Sequence, residues 1–299
     1  MKPDAAIAAL RRAIESNDDG HLVGTPRVSA ALDQFGYVFT AGGVRGGATG
    51  FRAYRSDPGS DRLAEGRMRS SHSGEQFVAV WGDDGTIRGI VTGGVLAALR
   101  TGALGGLAVD ALAPRSAAVL GLVGSGTQAW AQLWAIAGVR DLHEVRVFSS
   151  QPAHREAFAN RAVSELALSA RASGSAEEAV SGAHIVVLAT NSSRPVIEEG
   201  WVSPGAHVNT IGPKWSTAHE TPLGLVERAA LFVSDSPEQA DLYPWPFFAD
   251  SARLRDLCAV IRGELQGRQN PDDITLYCST GLAGTEVVLA AQLLDDPTQ

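Results

Sequence analysis

Cysteine is scarce in this chain: Cys258 and Cys278 are the only two in 299 residues. Two thiols cannot make a disulfide framework, so both are expected free and a reducing cytoplasm is the expected compartment. Uninterrupted apolar runs of the roughly 18 residues that a membrane span needs are also missing. The amphipathic opening, residues 4–16, mixes acids with bases and lacks the compact apolar segment of a signal peptide. A basic excess is absent too. The 25 Lys and Arg against 33 Asp and Glu leave a formal net charge of −8, which argues against nucleic acid or a membrane surface as partner. Aromatic residues are only 6% of the chain and are dispersed, so they form no stacking platform for bases. Hydrolytic and metal motifs are missing as well. There is no G-x-S-x-G elbow. His219-Glu220 is half of a zinc motif that no second His or Cys spacing completes, so no metal is expected.

What the chain does have is a glycine-rich turn between a strand and a helix. The apolar, β-like run Val119–Val123 enters Gly124-Ser125-Gly126-Thr127-Gln128-Ala129, a G-x-G-x-x-A pattern. In such a turn the first glycine permits the tight bend and the second lets backbone N–H groups approach a pyrophosphate. The small third residue lets the helix pack close. The helix that follows, 128–137, points its positive N-terminal end at the phosphates. Glycine turns also arise for structural reasons alone. Here the strand before, the helix after and a second strand at 144–148 favour a nucleotide site.

Downstream, strands are expected at 117–123, 144–148, 184–189, 206–211 and 230–234. They alternate with helices at 128–137, 152–168, 175–181, 222–228 and 237–242, the rhythm of a parallel α/β sheet. Upstream, short β-like runs at 35–40, 49–54, 76–81 and 89–91 suggest an antiparallel or mixed sheet. Glycine-rich connectors such as Ala41-Gly42-Gly43 separate them. The polar segment 56–73 reads as a loop or hairpin. A helix of small apolar residues spans 95–112, and a strand at 274–278 leads into a last helix from 280 to 294.

The segment Leu99-Arg100-Thr101-Gly102-Ala103, running through an apolar helix into the glycine turn, resembles the ornithine cyclodeaminase/μ-crystallin superfamily. Pro26-Arg27, Ala189-Thr190-Asn191 with Pro195, His207-Val208-Asn209-Thr210-Ile211-Gly212 and Cys278-Ser279-Thr280-Gly281 extend the resemblance over nearly the whole chain. It implies an α/β protein with a Rossmann-type NAD(P)-binding domain over 116–279. An α+β substrate-binding and dimerisation domain would occupy 1–115, completed by the C-terminal helix within 280–299. It also implies a homodimer, a nicotinamide cofactor and a substrate of amino-acid or imino-acid type. Arg100 would bind the substrate carboxylate with Arg27 beside it, since guanidinium offers a rigid fork of donors that matches a carboxylate. The bland alternative for Arg100 is a buried arginine bridging helix and loop. Thr101, Gly124, Ser125, Gly126, Thr127 and Gln128 are candidate cofactor contacts, with Thr190, Asn191 and Ser279 expected beside the nicotinamide half.

Two departures from the resemblance carry information. Where cyclodeaminases have a lysine after the glycine-rich connector, this chain has Arg52, which can hold an anion but is a poor proton shuttle. Where they place an aspartate for the substrate amine, this chain reads Gly212-Pro213-Lys214-Trp215, with Lys214 at or next to that position. A cation there repels the side-chain ammonium of ornithine, so ornithine cyclisation is not expected. If Arg27, Arg52, Arg100 and Lys214 converge, the pocket favours a small anionic substrate, including one with two acidic groups. Otherwise Arg52 and Lys214 are merely solvated.

The strand Glu144–Phe148 ends in Ser149-Ser150-Gln151, without the acid that binds a ribose 2′-OH. With Arg155 close behind, NADP(H) is favoured over NAD(H). The expected function is an NADP(H)-dependent oxidoreductase that reduces a C=N bond next to a carboxylate, or the reverse amino-acid dehydrogenation. Arg27, Arg52 and Arg100 would bind substrate, and Lys214 would give a proton to nitrogen with Arg52 assisting. A redox-neutral amino-acid cyclodeaminase and a non-catalytic NADP(H)-containing ligand-binding protein stay open as alternatives. Two further candidates are weighed. His72 and Glu75 supply acid chemistry only if their loop folds over the pocket. The aromatic stretch Tyr243–Phe248 either borders the cleft or packs against the domain.

Overall fold

The computed structural model describes residues 1–16, 21–33, 35–56, 63–64, 67–68, 72–242 and 245–295. The side chain of His72, and residues Tyr243 and Pro244, lie outside the described residues. The chain opens with α1 (Pro3–Glu15), β1 (Leu22–Gly24), β2 (Val28–Leu32), β3 (Phe35–Val44) and β4 (Thr49–Ser56). A two-residue pair, β5 (Leu63–Ala64) and β6 (Arg67–Met68), precedes β7 (His72–Trp81), β8 (Ile87–Thr92) and α2 (Val95–Leu112). Next come β9 (Val119–Val123), α3 (Thr127–Ala137), β10 (Glu144–Phe148), α4 (Pro152–Leu166), β11 (Ala170–Ala172) and α5 (Ala176–Val180). They are followed by β12 (Ile185–Leu188), β13 (His207–Thr210), the hairpin β14 (Lys214–Trp215) and β15 (Ala218–His219), and α6 (Leu223–Arg228). The last elements are β16 (Leu231–Ser234), α7 (Pro237–Asp241), β17 (Arg255–Asp256), α8 (Leu257–Ile261), β18 (Thr275–Cys278) and α9 (Thr285–Asp295).

The first sheet is antiparallel, in the order β1-β3-β4-β7-β8, with β2 paired to β3. Side chains alternate across it. Val38, Tyr54, Val78 and Val80 are buried, whereas Tyr37, Phe39, Phe77 and Ile90 are exposed on the opposite face. Strand β3 runs straight through Ala41-Gly42-Gly43, so these glycines are no connector as the sequence suggests. A Cβ on Gly42 would lie 2.5 Å from the Val23 carbonyl and 2.7 Å from the Gly284 Cα. Glycine stands there because neighbouring backbone comes too close for a side chain. The second sheet has eight parallel strands in the order β11-β10-β9-β12-β13-β18-β16-β17. The chain enters at β9, steps outward to β10 and β11, then returns to the other side of β9 as β12. That reversal makes the β9/β12 edge a topological switch point, where open α/β sheets bind ligands.

Helix α2 lies between the halves and is the core helix. It is the one helix among the described residues long and apolar enough to cross a membrane, and 67% of it is buried in the protein. Helix α9 starts at Thr285, five residues later than the sequence suggests. It packs on α1, α2 and the antiparallel sheet, burying Val287, Leu289 and Ala290. Cys258 and Cys278 are free and buried.

A chain of buried polar groups ties the second sheet to α3 and α2. His207 Nδ1 pairs with Thr275 Oγ1 and Nε2 with Asn209 Oδ1, both at 2.8 Å. Asn209 then donates to Gln132 Oε1 at 2.9 Å, and Gln132 donates to the Thr101 carbonyl at 2.9 Å. Burial lowers the His207 pKa from 6.5 to about 3, with nearby Arg268 and Arg140 adding to it and the Asn209 bond opposing. The unfolded chain therefore binds the extra proton more readily. Stability should fall by about 1.4 kcal/mol per pH unit below about pH 6.5 until the folded state also titrates, or about 2 kcal/mol by pH 5. Denaturant melts of wild type and His207→Gln across that window check this. A variant with the same pH slope as wild type excludes His207 as the source.

Candidate functional site

Strand β9 is buried from Leu120 onward and delivers Gly124 to the switch point. Gly124 has φ +126°, and a Cβ there would collide with the Ala189 carbonyl at the end of β12. Only glycine fits that turn. Nothing lies within 4 Å of where a Cβ on Gly126 would be, so the approach to this turn is open. Gly126 is also the N-cap of α3, and no side chain caps that helix. Its first-turn N–H groups are available to an anion, favoured by the helix dipole. Gln128 adds a buried Oε1 that has no hydrogen-bond partner among the described residues. An uncapped helix start, an open glycine turn and an orphaned acceptor together fit a dinucleotide.

The turn opens onto a cleft of about 620 Å³ lined by eight of the residues singled out from the sequence. They are Arg27, Arg52, Arg100, Thr101, Thr127, Gln128, Lys214 and Ser279, and Glu75 joins them. Ser125, Gly126 and Thr127 line an adjoining groove of about 660 Å³ between α2, α3 and α4. Ser149 and Ser150 follow β10, and Arg155 folds back to donate to the Ser149 carbonyl at 3.1 Å over the Phe148 ring. Thr190 lies two residues past β12, while Asn191 is exposed on the loop beyond it. A separate cavity of about 370 Å³, bordered by Asp235, Cys258 and Arg262, contains none of the sequence candidates.

The four cations are not equivalent. Arg52 is buried, donates to Gln76 Oε1 at 2.6 Å and to Glu286 Oε1 at 2.9 Å, and lies over the Tyr54 ring. Burial lowers its pKa and Glu286 opposes that. Arg100 Nε is 3.1 Å from the same Glu286 oxygen, an ion pair without the alignment of a hydrogen bond. Burial works against the Arg100 charge, but Glu286 and Asp235 outweigh it and raise its pKa. The cleft is thus less cationic than four bases alone suggest, because Glu286 balances one of them. The far ends of Arg100 and Arg27 meet at Gly281. A Cβ placed there would be 3.4 Å from Arg27 Nη2 and 3.6 Å from Arg100 Nη1. Two guanidinium groups facing one point can grip a carboxylate between them. Lys214 is buried, donating to the carbonyls of Ile211 at 3.2 Å and Gly212 at 2.8 Å. The Thr101 hydroxyl donates to the Ala97 carbonyl at 2.9 Å, leaving only its lone pairs for a ligand.

Three acids that the sequence did not single out as site residues organise this cleft. Glu286 joins Arg52 and Arg100. Asp235 is buried at the end of β16 and accepts from the backbone N–H groups of Thr280, Gly281 and Leu282 at 2.7–3.2 Å. It therefore holds 280–284 as a loop, which is why α9 starts late. Glu220, read from sequence as half of a metal motif, accepts from the ends of both β12 and β13. Its neighbour His219 pairs with the Thr221 carbonyl and stacks on Phe248. Phe247 and Phe248 pack on Phe232, so this end of the aromatic stretch serves packing.

Known proteins are similar to this chain in sequence and fold. A Delta(1)-pyrroline-2-carboxylate reductase of Bacillus thuringiensis is 32% identical over 214 residues, 69% of this chain and 66% of the relative. An alanine dehydrogenase of Archaeoglobus fulgidus is 36% identical over 202 residues, 64% of this chain and 61% of the relative. These matches span just under two thirds of each relative. An archaeal alanine dehydrogenase dimer with bound NAD superposes with a TM-score of 0.82 at 25% identity, covering 100% of this chain and 92% of its own. The sequence model of the ornithine cyclodeaminase/mu-crystallin family matches residues 1–298. With the Arg100-Thr101 motif, the glycine turn and the switch point in one continuous match, the chain belongs to the ornithine cyclodeaminase/mu-crystallin family.

Proposed function

We propose that this protein is an NADP(H)-dependent oxidoreductase that reduces a C=N bond beside a carboxylate, or runs the reverse amino-acid dehydrogenation. The observation that carries it is the convergence of Arg27 and Arg100 at Gly281, in a cleft that also holds Lys214 and opens onto the glycine turn. When bound, the nicotinamide supplies or accepts the hydride. The chain's own residues do the rest. Arg100 and Arg27 hold the substrate carboxylate and so fix the neighbouring imine carbon. Arg52, braced by Glu286 and Gln76, supports Arg100 and lends field to the carboxylate. Lys214, anchored by two carbonyls, gives its proton to the imine nitrogen. Gly124, Ser125, Gly126, Thr127 and Gln128 would hold the pyrophosphate, and Thr101, Thr190, Asn191 and Ser279 would serve the nicotinamide half.

Ser149, Ser150 and Arg155 support the phosphorylated cofactor, because a 2′-phosphate meets hydroxyls and a guanidinium rather than a carboxylate. The archaeal alanine dehydrogenase holds NAD; preference for NADP(H) is this chain's own feature in our reading. The division of labour follows the two sheets, with 1–115 and the C-terminal helix serving substrate and 116–279 serving cofactor. The exposed face of Tyr37, Phe39, Phe77 and Ile90 supports a homodimer closed through the antiparallel sheet. Two buried free thiols support a cytoplasmic setting. The test is oxidation of NADPH and NADH against 2-oxo acids with ammonia or methylamine, and against cyclic ketimines. NADPH-dependent turnover of a carboxylated imine is expected. Tight NADPH binding with no turnover anywhere in the panel would sink the reductase in favour of a redox-neutral or ligand-binding protein.

A further inference from the structure

We infer that Glu220 is a positioning residue that sets the proton-donor side of the cleft against its cofactor side, resting on Lys214 as the proton donor proposed above. Glu220 is completely buried, and no Lys or Arg pairs with it among the described residues. Backbone and hydroxyl donors replace the missing counter-ion. Oε2 accepts from the Thr190 N–H and the Thr190 hydroxyl, both at 2.7 Å. Oε1 accepts from the Thr210 hydroxyl at 3.1 Å and from the N–H groups of Ile211 at 3.1 Å and Gly212 at 2.5 Å. One carboxylate thereby joins the ends of β12 and β13.

The peptide unit between Ile211 and Gly212 serves both side chains, its N–H bonded to Glu220 and its carbonyl to Lys214 Nζ. Ile211 and Gly212 give their N–H groups to Glu220 and their carbonyls to Lys214 Nζ. On its other oxygen Glu220 holds Thr190, which follows Ala189, the residue whose carbonyl packs against Gly124. A continuous line of contacts therefore runs from the glycine turn through Thr190, Glu220 and residues 211–212 to the Lys214 ammonium. All five groups facing the carboxylate carry a hydrogen to donate, and three of them are backbone N–H groups that cannot accept. A glutamine must turn its NH₂ toward Thr190 or toward 210–212, losing the bonds on that side and pushing the loop away. Displacement of a reacting group by about an ångström can cost a hundredfold in rate.

The experiment compares Glu220→Gln, Glu220→Asp and Thr190→Val with wild type in kcat, KM, NADPH Kd and melting temperature. Glu220→Gln should lower kcat about 10- to 100-fold, with the carboxylate KM and the NADPH Kd within about threefold of wild type. Thr190→Val keeps the carboxylate but removes the hydroxyl's bond to Glu220, together with the one it accepts from the Ser192 N–H, and should lower kcat by about three- to tenfold. Glu220→Asp keeps the charge on a shorter arm, and should recover part of the rate lost in the glutamine variant. A Glu220→Gln enzyme with kcat within about twofold of wild type overturns the inference. So does one in which kcat, KM and Kd worsen together with the melting temperature, the pattern of a loosened fold. If Glu220→Gln does not fold, an unaltered kcat in Thr190→Val is the overturning result. Reductive methylation of Lys214 in the NADPH-bound protein reads the same clamp without turnover. Labelling about tenfold faster in Glu220→Gln or Thr190→Val supports it, and equal labelling overturns it even if no imine is reduced.

Discussion

Replacing Arg100 with lysine should lower kcat/KM for the carboxylated imine by about 30- to 1,000-fold, most of it through KM, for a loss of about 2–4 kcal/mol. Lysine keeps a positive charge in the helix, so Glu286 still has a cation nearby. What disappears is the rigid fork at Gly281, where Arg100 Nη1 and Arg27 Nη2 face one point. An ammonium gives a carboxylate a point charge and cannot reproduce two parallel hydrogen bonds. The same change at Arg27 should cost less, because Arg27 is exposed and its field is screened by water. NADPH affinity should stay near wild type in both variants, since neither residue belongs to the glycine turn. Steady-state kinetics with one imine and varied NADPH separate these effects. A change below about threefold in kcat/KM for Arg100→Lys would place the carboxylate elsewhere in the cleft.

What could be read from the sequence was local, and what could not was long-range. The glycine turn, the helix after it and the Arg100-Thr101 motif are short patterns, so the elements that carry them form as the sequence suggests. Glu286, Glu220 and Asp235 act on partners 234, 30 and 45 residues away, and no spacing rule reaches that far. A trace was present nonetheless. Glu286 sits among Val287, Val288 and Leu289 in an apolar helix, and an acid on a buried face needs a cation. The errors have physical causes. Gly42 and Gly43 looked like a turn because glycine permits turns; here it permits backbone to approach backbone inside a strand. Residues 280–284 looked helical because they are small and apolar, but a carboxylate from another strand captures their N–H groups. Propensity gives way where a tertiary acceptor offers more bonds than the next helical turn.

Removing the Glu286 carboxylate should be the most damaging single change to the fold near the cleft. Glu286→Ala leaves the side chains of Arg52 and Arg100, 6% and 11% exposed, without their shared counter-ion. Breaking one partner out of a buried ionic group costs about 3–5 kcal/mol, because the remaining charges stay desolvated. Mutual repulsion of the two arginines then adds to the loss and pushes Arg100 away from Gly281, so KM should rise as well. The effect should carry its own pH signature. Burial alone would raise the Glu286 pKa, but Arg100 and Arg52 more than offset it and hold it below its ordinary value of 4.5. Its contribution is therefore present above the unfolded pKa and is lost as pH falls through the lower folded value. Glu286→Gln removes that acid-side dependence, whereas Arg52→Met with Glu286→Leu removes one charge of each sign together. The double variant should recover only part of the stability lost in Glu286→Ala, because it removes the buried Arg52 charge and its repulsion of Arg100 but leaves Arg100 without its Glu286 partner. Chemical denaturation of the three proteins decides the matter. A double variant less stable than Glu286→Ala would mean that packing, and not charge, holds α9 against the sheet.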